Sequence, residues 1–417
     1  MDPSASAAQV VDALLTPAGR ALVAALTPYD PARALALVES ARRDPRWADA
    51  PEVVSAAATQ ARLRTRAADR FPGPPRWWTP EGLEQATRPA VAARHAERFR
   101  AAGILEVIDL GSGAGSDAVA MAQAGLRVLA VDRDPAALWA LAATAADRGL
   151  PIEVLAGDVT TMPGAWQGPG TVAKAVGCFV DPARRGGGAR RMSPEAWSPP
   201  WSWVRELAGR VPATGAKVAP GIDHAAIPGD AQAEWVSVGG DLVEAAVWWG
   251  PLRQGAARRT AVLLPGRNDD GLDDTGAPVS LDDADGVPQP EVGPVGRWLV
   301  EPDAAVIRSG LVSVLAAGIS GRLLDPRIAY ITGDTEPPRS DLGATFEVLD
   351  EVPFARRSMR AWLRGRGYGD VIVKKRGLEV VPEELRAALR LGGSGPTATL
   401  VLTRTDAGPL ALLVRRA

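Results

Sequence analysis

Apolar positions along the chain repeat with two different periods, and the change between them divides it. Over residues 1–78 the spacing is helical: Leu14, Leu22, Val23 and Leu26 share one face, and Leu35, Leu37 and Val38 begin another. Pro28, Pro31 and Asp44-Pro45 punctuate these helices. Phe71-Pro-Gly-Pro-Pro-Arg-Trp-Trp then reads as a stiff connector that leaves Trp77 and Trp78 at the surface. An N-terminal helical domain over 1–78 is the expectation.

From 79 to 265 short apolar runs alternate with helical ones. Thr79-Pro-Glu-Gly-Leu-Glu-Gln-Ala opens a helix, with threonine as N-cap, Pro80 at the first helical position and an acid in the first turn. Strands are predicted at Leu105–Leu110, Leu126–Asp132, Ile152–Leu155 and Ala173–Val180, with helices at Asp117–Ala124 and Pro135–Arg148. Later strands fall at Ala216–Ala219, Glu234–Val238, Glu244–Trp248 and Thr260–Leu264. This alternation predicts an α/β fold, a Rossmann-like parallel sheet covered on both faces and ending in antiparallel strands.

Residues 266–291 are acidic and turn-rich, and read as a solvated linker loop. Residues 292–345 predict a helix at Ala304–Ala317 and strands around Tyr330. Residues 346–417 predict strands at Asp370–Lys374, Ala398–Thr403 and Leu410–Val414 with a helix from Pro382 to Leu391, hence a small C-terminal α+β module.

Charge changes this picture only locally. The net charge is −2, yet residues 266–303 hold ten acids against two arginines, and the chain from 351 holds thirteen basic residues against six acids. Arginine outnumbers lysine 43 to 4, which resembles a coding bias and makes the lysines the more informative cations; Lys374 and Lys375 are adjacent. One cysteine, Cys178, and two histidines exclude a disulfide framework and argue against a zinc site, so no metal is expected. With no run of 18 apolar residues and no leader pattern, a soluble cytoplasmic chain without membrane contact is expected.

The densest chemistry lies in Val107-Ile-Asp-Leu-Gly-Ser-Gly-Ala-Gly-Ser-Asp. Gly111, Gly113 and Gly115, with Ser112 between the first two, permit a tight turn and close ligand approach after the first strand. A dinucleotide fingerprint would need glycine where Ser116 stands. S-adenosylmethionine carries no pyrophosphate, and G-x-G-x-G suits it. Asp109, Asp132 and Asp158 follow at strand ends, 23 and 26 residues apart, which places all three along the carboxyl edge of a doubly wound sheet. Asp132 is placed to accept the ribose hydroxyls. Asp158, with Val159 beside it, suits the adenine amino group, and Asp109 the methionine ammonium.

As an ordered set, these residues resemble class I S-adenosylmethionine-dependent methyltransferases over residues 80–265. The next strand ends Phe179-Val-Asp-Pro-Ala-Arg-Arg-Gly-Gly-Gly, at the place where amino-group methyltransferases carry Asp/Asn-Pro-Pro and an aromatic. Asp181 and Pro182 keep that pattern and are expected to orient the methyl acceptor; Ala183 and Arg184 depart from it. Arg184 and Arg185 could meet a phosphate or stack on a base. Cys178 precedes Asp181, so covalent cysteine catalysis on a pyrimidine carbon is disfavoured.

The whole chain is similar to a bacterial family in which this domain precedes a ferredoxin-like segment and a THUMP-like domain. The resemblance rests on the Thr79 helix, Val180-Asp-Pro-Ala-Arg-Arg, Ala219-Pro-Gly-Ile-Asp, Glu234-Trp-Val-Ser, Val300-Glu-Pro-Asp-Ala-Ala-Val-Ile-Arg and Val373-Lys-Lys-Arg-Gly. It implies modules at 79–265, 292–345 and 346–417, and an RNA partner, a tRNA or rRNA. Lys374, Lys375 and Arg376 would then neutralise phosphates, and Trp77, Trp78, Trp201 and Trp203 could offer stacking faces. The Thr79 helix also resembles the element preceding the trimethylguanosine synthase core, which implies that Glu84 and Gln85 face the site; a simple capping role is the other reading. Two other readings stay open: a small-molecule methyltransferase with a C-terminal dimerisation module, and a non-catalytic RNA-binding protein.

Overall fold

Proline marks where the first helices begin. In the computed structural model, which describes residues 3–161, 175–183, 185–186, 189–190, 193–266, 276–338 and 340–417, α1 (Pro3–Leu15), α2 (Pro17–Ala25), α3 (Pro31–Arg43) and α4 (Pro51–Ala67) all start on a proline. Its fixed φ suits the first helical turn, and its missing N–H is one the helix would leave unpaired. Thr16 and Asp30 cap α2 and α3, accepting from the backbone N–H groups of Gly19 and Ala32. Leu14, Val23, Leu26 and Val54 meet in a core that closes on Trp77, Ala140 and Ala143.

The connector is therefore not a surface. Trp77 and Trp78 are 1% and 2% exposed, which corrects the expectation. Trp77 donates from Nε1 to Asp147 Oδ2 at 2.8 Å, and its backbone N–H reaches Thr144 Oγ1. Trp78 packs beside Phe71, Leu63 and Leu83. A tryptophan gains most by burying its ring once its N–H has a partner. Trp201 is buried as well, against Trp197 and Trp249.

The chain divides into two units, Met1–Lys217 with Trp248–Leu252, and Val218–Val247 with Arg253–Ala417. In the first, α5 (Pro80–Gln85) and α6 (Pro89–Ala101) lead into β1 (Glu106–Leu110), α7 (Ser116–Gln123), β2 (Arg127–Asp132), α8 (Pro135–Arg148), β3 (Ile152–Ala156), β4 (Val176–Val180), α9 (Trp201–Arg210) and β5 (Thr214–Val218). The strands pair in parallel in the order β3-β2-β1-β4-β5. Chain order reverses between β1 and β4, so a crevice opens at their carboxyl ends, where open α/β sheets bind ligands. Asp109 is in register with Phe179 and Ala130.

In the second unit, β6 (Gln232–Val238) and β7 (Asp241–Trp248) are joined by Gly239-Gly240, and β8 (Arg259–Leu264) pairs with β6. That pairing is parallel, so the expected antiparallel end is only partly antiparallel. The acidic linker is not all solvated loop. Its residues 267–275 lie outside the described residues, but β9 (Val279–Asp282) pairs antiparallel with β8. Asp283 holds that edge by accepting from the backbone N–H groups of Arg258 and Arg259.

The second unit continues with β10 (Trp298–Pro302), α10 (Ala304–Arg308), α11 (Val312–Gly318), β11 (Arg322–Asp325), β12 (Ile328–Gly333), β13 (Gly343–Pro353), α12 (Arg356–Arg364), β14 (Asp370–Lys375), α13 (Pro382–Leu389), β15 (Thr397–Thr405) and β16 (Gly408–Arg416). The single helix expected over Ala304–Ala317 is two, broken at Gly310 with φ +73°. Side chains serve the carbonyls at the break: His224 donates to Arg308 O at 2.8 Å and Arg259 to Ser309 O at 3.2 Å. The strands form one sheet, β11-β12-β10-β13-β16-β15-β14. The boundary expected between 345 and 346 falls inside β13, which pairs with β10 on one side and β16 on the other. Alternation sends Leu400, Leu402 and Leu413 to the face under α12 and α13, and Val401 and Leu412 to the opposite face with Tyr330 and Phe346.

Candidate cofactor and acceptor site

The glycine turn after β1 is shaped by what lies against it. Gly111 has φ +81°, and a Cβ there would stand 2.8 Å from the carbonyl oxygen of Asp181. Gly115, at φ +73°, caps α7 with no room for a side chain beside Leu141. The Gly113 N–H donates to Asp132 Oδ2 at 2.8 Å, and the Asp134 N–H to Asp132 Oδ1 at 2.9 Å. Asp132 is half-buried, and each of its oxygens keeps a lone pair for a further donor. Ser112 follows Gly111 with its hydroxyl buried and unpartnered.

Asp109 is 1% exposed and its Oδ2 has no hydrogen-bond partner. Burial, then the charges of Asp117, Asp181 and Asp132, pushes its carboxyl well above the usual range; Lys217 pulls the other way. A buried carboxylate with an unused oxygen is costly unless a donor or cation meets it. An ammonium ligand would supply both. Asp158 is exposed, and accepts from the Thr160 backbone N–H at 2.8 Å and hydroxyl at 2.6 Å. Those bonds hold its carboxyl below the usual range. Val159 beside it is nearly buried.

Across the crevice, β4 delivers Asp181, whose backbone N–H donates to Leu110 O at 3.1 Å. Pro182 is buried, and Ala183 exchanges two backbone hydrogen bonds with Ser198. Arg184 lies outside the described residues, as does the side chain of Arg185. Cys178 is fully buried and its thiol is pushed up to about 12 by that burial, the opposite of an activated nucleophile.

Four residues of this site went unread in the sequence. Lys217, at the end of the fully buried β5, donates to Asp181 Oδ2 and to Thr87 Oγ1, both at 3.0 Å. The Thr87 hydroxyl donates to Asp117 Oδ2 at 2.7 Å. His95 Nδ1 lies 2.8 Å from Asp117 Oδ1. Burial alone would raise the Asp117 carboxyl, but the His95 hydrogen bond and charge, Lys217 and Thr87 outweigh it and hold it below the usual range. The His95 ring sits between Phe179 and Trp248, with centroids at 4.9 and 5.5 Å. The one available signal was Lys217 itself, a rare lysine inside an apolar run.

Asp109, Gly111, Ser112, Gly113, Gly115, Asp132, Asp158, Asp181 and Pro182 thus all belong to the first unit, at the ends of β1 to β4 and the turns that follow them. The Thr79 helix is α5, which packs on the glycine turn: a Cβ on Gly82 would lie 2.6 Å from that of Ala114. Glu84 and Gln85 are exposed on it, and Glu84 pairs with Arg66 at 3.5 Å. In the second unit, Lys374 and Arg376 share Glu301, at 2.7 and 3.5 Å, while Lys375 is exposed.

The chemistry of this donor set fits S-adenosylmethionine. Its sulfonium and ammonium suit a crevice bordered by Asp109, Asp132 and Asp181, and its ribose hydroxyls suit Asp132. No helix among the described residues is long and apolar enough to cross a membrane.

Known proteins agree. A methyltransferase-domain family matches residues 107–180, a THUMP domain-like family residues 343–416, and a domain family of unknown function residues 7–67. Proteins from two strains of Mycobacterium tuberculosis, each named an uncharacterized S-adenosylmethionine-dependent methyltransferase, are 32% identical over 359 residues, 84% of this chain and 92% of theirs. A crystal structure named for a methyltransferase from Porphyromonas gingivalis has a TM-score of 0.66 at 19% identity, covering 93% of this chain and 99% of that one, a likeness of fold. The chain therefore belongs to the S-adenosylmethionine-dependent methyltransferases, with a class I catalytic sheet, an N-terminal helical region and a C-terminal THUMP-like module.

Proposed function

We propose that this enzyme methylates a base nitrogen of a structured RNA, a tRNA or rRNA. The observation that carries the reading is the Asp181-Pro182 turn, set at the switch point of the sheet against the glycine turn. Bound S-adenosylmethionine supplies an electrophilic methyl group. The chain's part is alignment: Asp109 receives the ammonium, Asp132 the ribose, and Asp158 with Val159 the adenine, while Asp181 accepts an N–H of the nucleophile. A base inside a helix cannot reach this turn, so the target is unpaired or flipped out.

Support for RNA comes from the THUMP domain-like match and from α12. Arg356, Arg360 and Arg364 stand four apart on that helix, and Arg357 adjoins the first of them. Cations in a first turn oppose the helix dipole, and like charges at i,i+4 repel. Arg360 and Arg364 also donate to the Arg390 carbonyl, and Arg364 to that of Leu391, so a polyanion relieves the part of these costs that remains. Lys375 adds an exposed cation, whereas Lys374 and Arg376 spend part of their charge on Glu301.

The test is transfer of labelled methyl to total RNA from cells lacking this protein, with Asp181→Ala as control. Label in RNA with the native chain and none with the variant is expected. Label only in small molecules would defeat the proposal.

A further inference from the structure

Lys217 is a buried cation that the alignment role above does not use. Its side chain is 9% exposed, on a strand whose every residue is buried. A buried ion pair adds little net stability over an apolar pair of similar volume. The arrangement around it is directional. Lys217 donates to Asp181 Oδ2 and to the Thr87 oxygen, and the Thr87 proton is committed to Asp117 Oδ2. Asp117 is held in turn by His95, from α6. The Asp181 side chain keeps 32% exposure, so its carboxylate is anchored at one oxygen and open to the crevice.

We propose that Lys217 is a positioning residue: it holds the Asp181 carboxylate in one orientation, with Oδ1 left to accept an N–H of the methyl acceptor, and Thr87 fixes the lysine. This rests on the reading that Asp181 meets the acceptor. It makes the site selective for nucleophiles that carry an N–H, such as an amino group, over a ring carbon, whose C–H is no donor to a carboxylate.

The test uses the full chain. In crystal structures without substrate, the Asp181 carboxylate of Lys217→Met is expected to leave the orientation that sets Oδ2 3.0 Å from Lys217 in the native chain, and Lys217→Arg to keep it. In methyl transfer, Lys217→Met lowers kcat about tenfold or more with KM for the acceptor unchanged, as misplacement of an aligning group does, and Lys217→Arg restores most of it. Should Lys217→Met melt below the working temperature, Thr87→Val gives a smaller loss of kcat of the same kind. An Asp181 carboxylate that keeps its orientation in Lys217→Met, or a kcat that ignores these substitutions, overturns the proposal. A wild-type chain inert toward RNA would defeat the RNA reading alone, because the crystal structures need no substrate.

Discussion

Gly111 and Asp181 are bound by a close approach: an added Cβ on the glycine would sit 2.8 Å from the aspartate's carbonyl oxygen. The glycine turn and the Asp181-Pro182 turn therefore share one surface. Gly111→Ala strains a backbone at φ +81° and pushes the two turns apart. We expect a loss of about 1–3 kcal/mol in stability and weaker cofactor binding. Chemical denaturation and calorimetry measure these, and an unchanged denaturation midpoint would contradict the packing described.

Asp109 carries a pH signature. Its folded carboxyl is raised well above the ordinary value of 3.8, first by burial and then by Asp117, Asp181 and Asp132. The folded state thus holds this proton more tightly than the unfolded chain. The stability it contributes is complete below the unfolded value and is lost as pH rises through the folded one. Asp109→Asn escapes that loss. Without ligand, the variant should melt higher than the native chain at pH 8, with the gap closing toward pH 4, and should bind S-adenosylmethionine more weakly. Parallel melting curves across that range would remove the raised carboxyl from the account.

Asp132 tests the ribose assignment. Asp132→Ala deletes the acceptor of the Gly113 N–H as well as the proposed sugar contact. Hydrogen bonds to a charged group are worth about 1.5–3 kcal/mol, so affinity should fall by roughly ten- to a hundredfold in calorimetry. Undiminished affinity would refute the assignment.

Trp77 ties the helical region to α8. It is 1% exposed and bonded to Asp147 and Thr144. Trp77→Ala should cost about 3–5 kcal/mol, as large core truncations do, measured by urea unfolding. A loss under one kcal/mol would show the connector to be peripheral.

The α12 arginines predict a salt signature. If Arg356 and Arg360 each neutralise a phosphate, the double substitution to glutamine lowers RNA affinity across sequences. It also makes the log–log salt slope shallower by about one per lost contact. A slope equal to that of the native chain would move the RNA surface elsewhere.

Much of the catalytic sheet was legible because its signals are local. Helix α8 runs Pro135–Arg148 as expected, set by the Asp134 cap and Pro135 at one end and Gly149 at the other. Strands β1 and β2 came within a residue of expectation, since short apolar runs between turn residues have few alternatives. The THUMP-like module and the cofactor class were also readable, from ordered motifs. Where local pattern misled, a partner distant in sequence decided. The Ala304–Ala317 run was apolar enough for one helix, but Gly310 turns left-handed and His224 and Arg259 take up the freed carbonyls.

Order along the chain alone determined that a G-x-G-x-G turn and acids one strand-helix unit apart converge on the same sheet edge, because parallel strands all end there. Only the tertiary structure decided what surrounds them. Whether Trp77 faces water or Asp147, and whether Lys217 stands beside Asp181, depends on pairings across 70 and 36 residues. Those pairings are set by how elements pack, and burial then decides which charges must find one another.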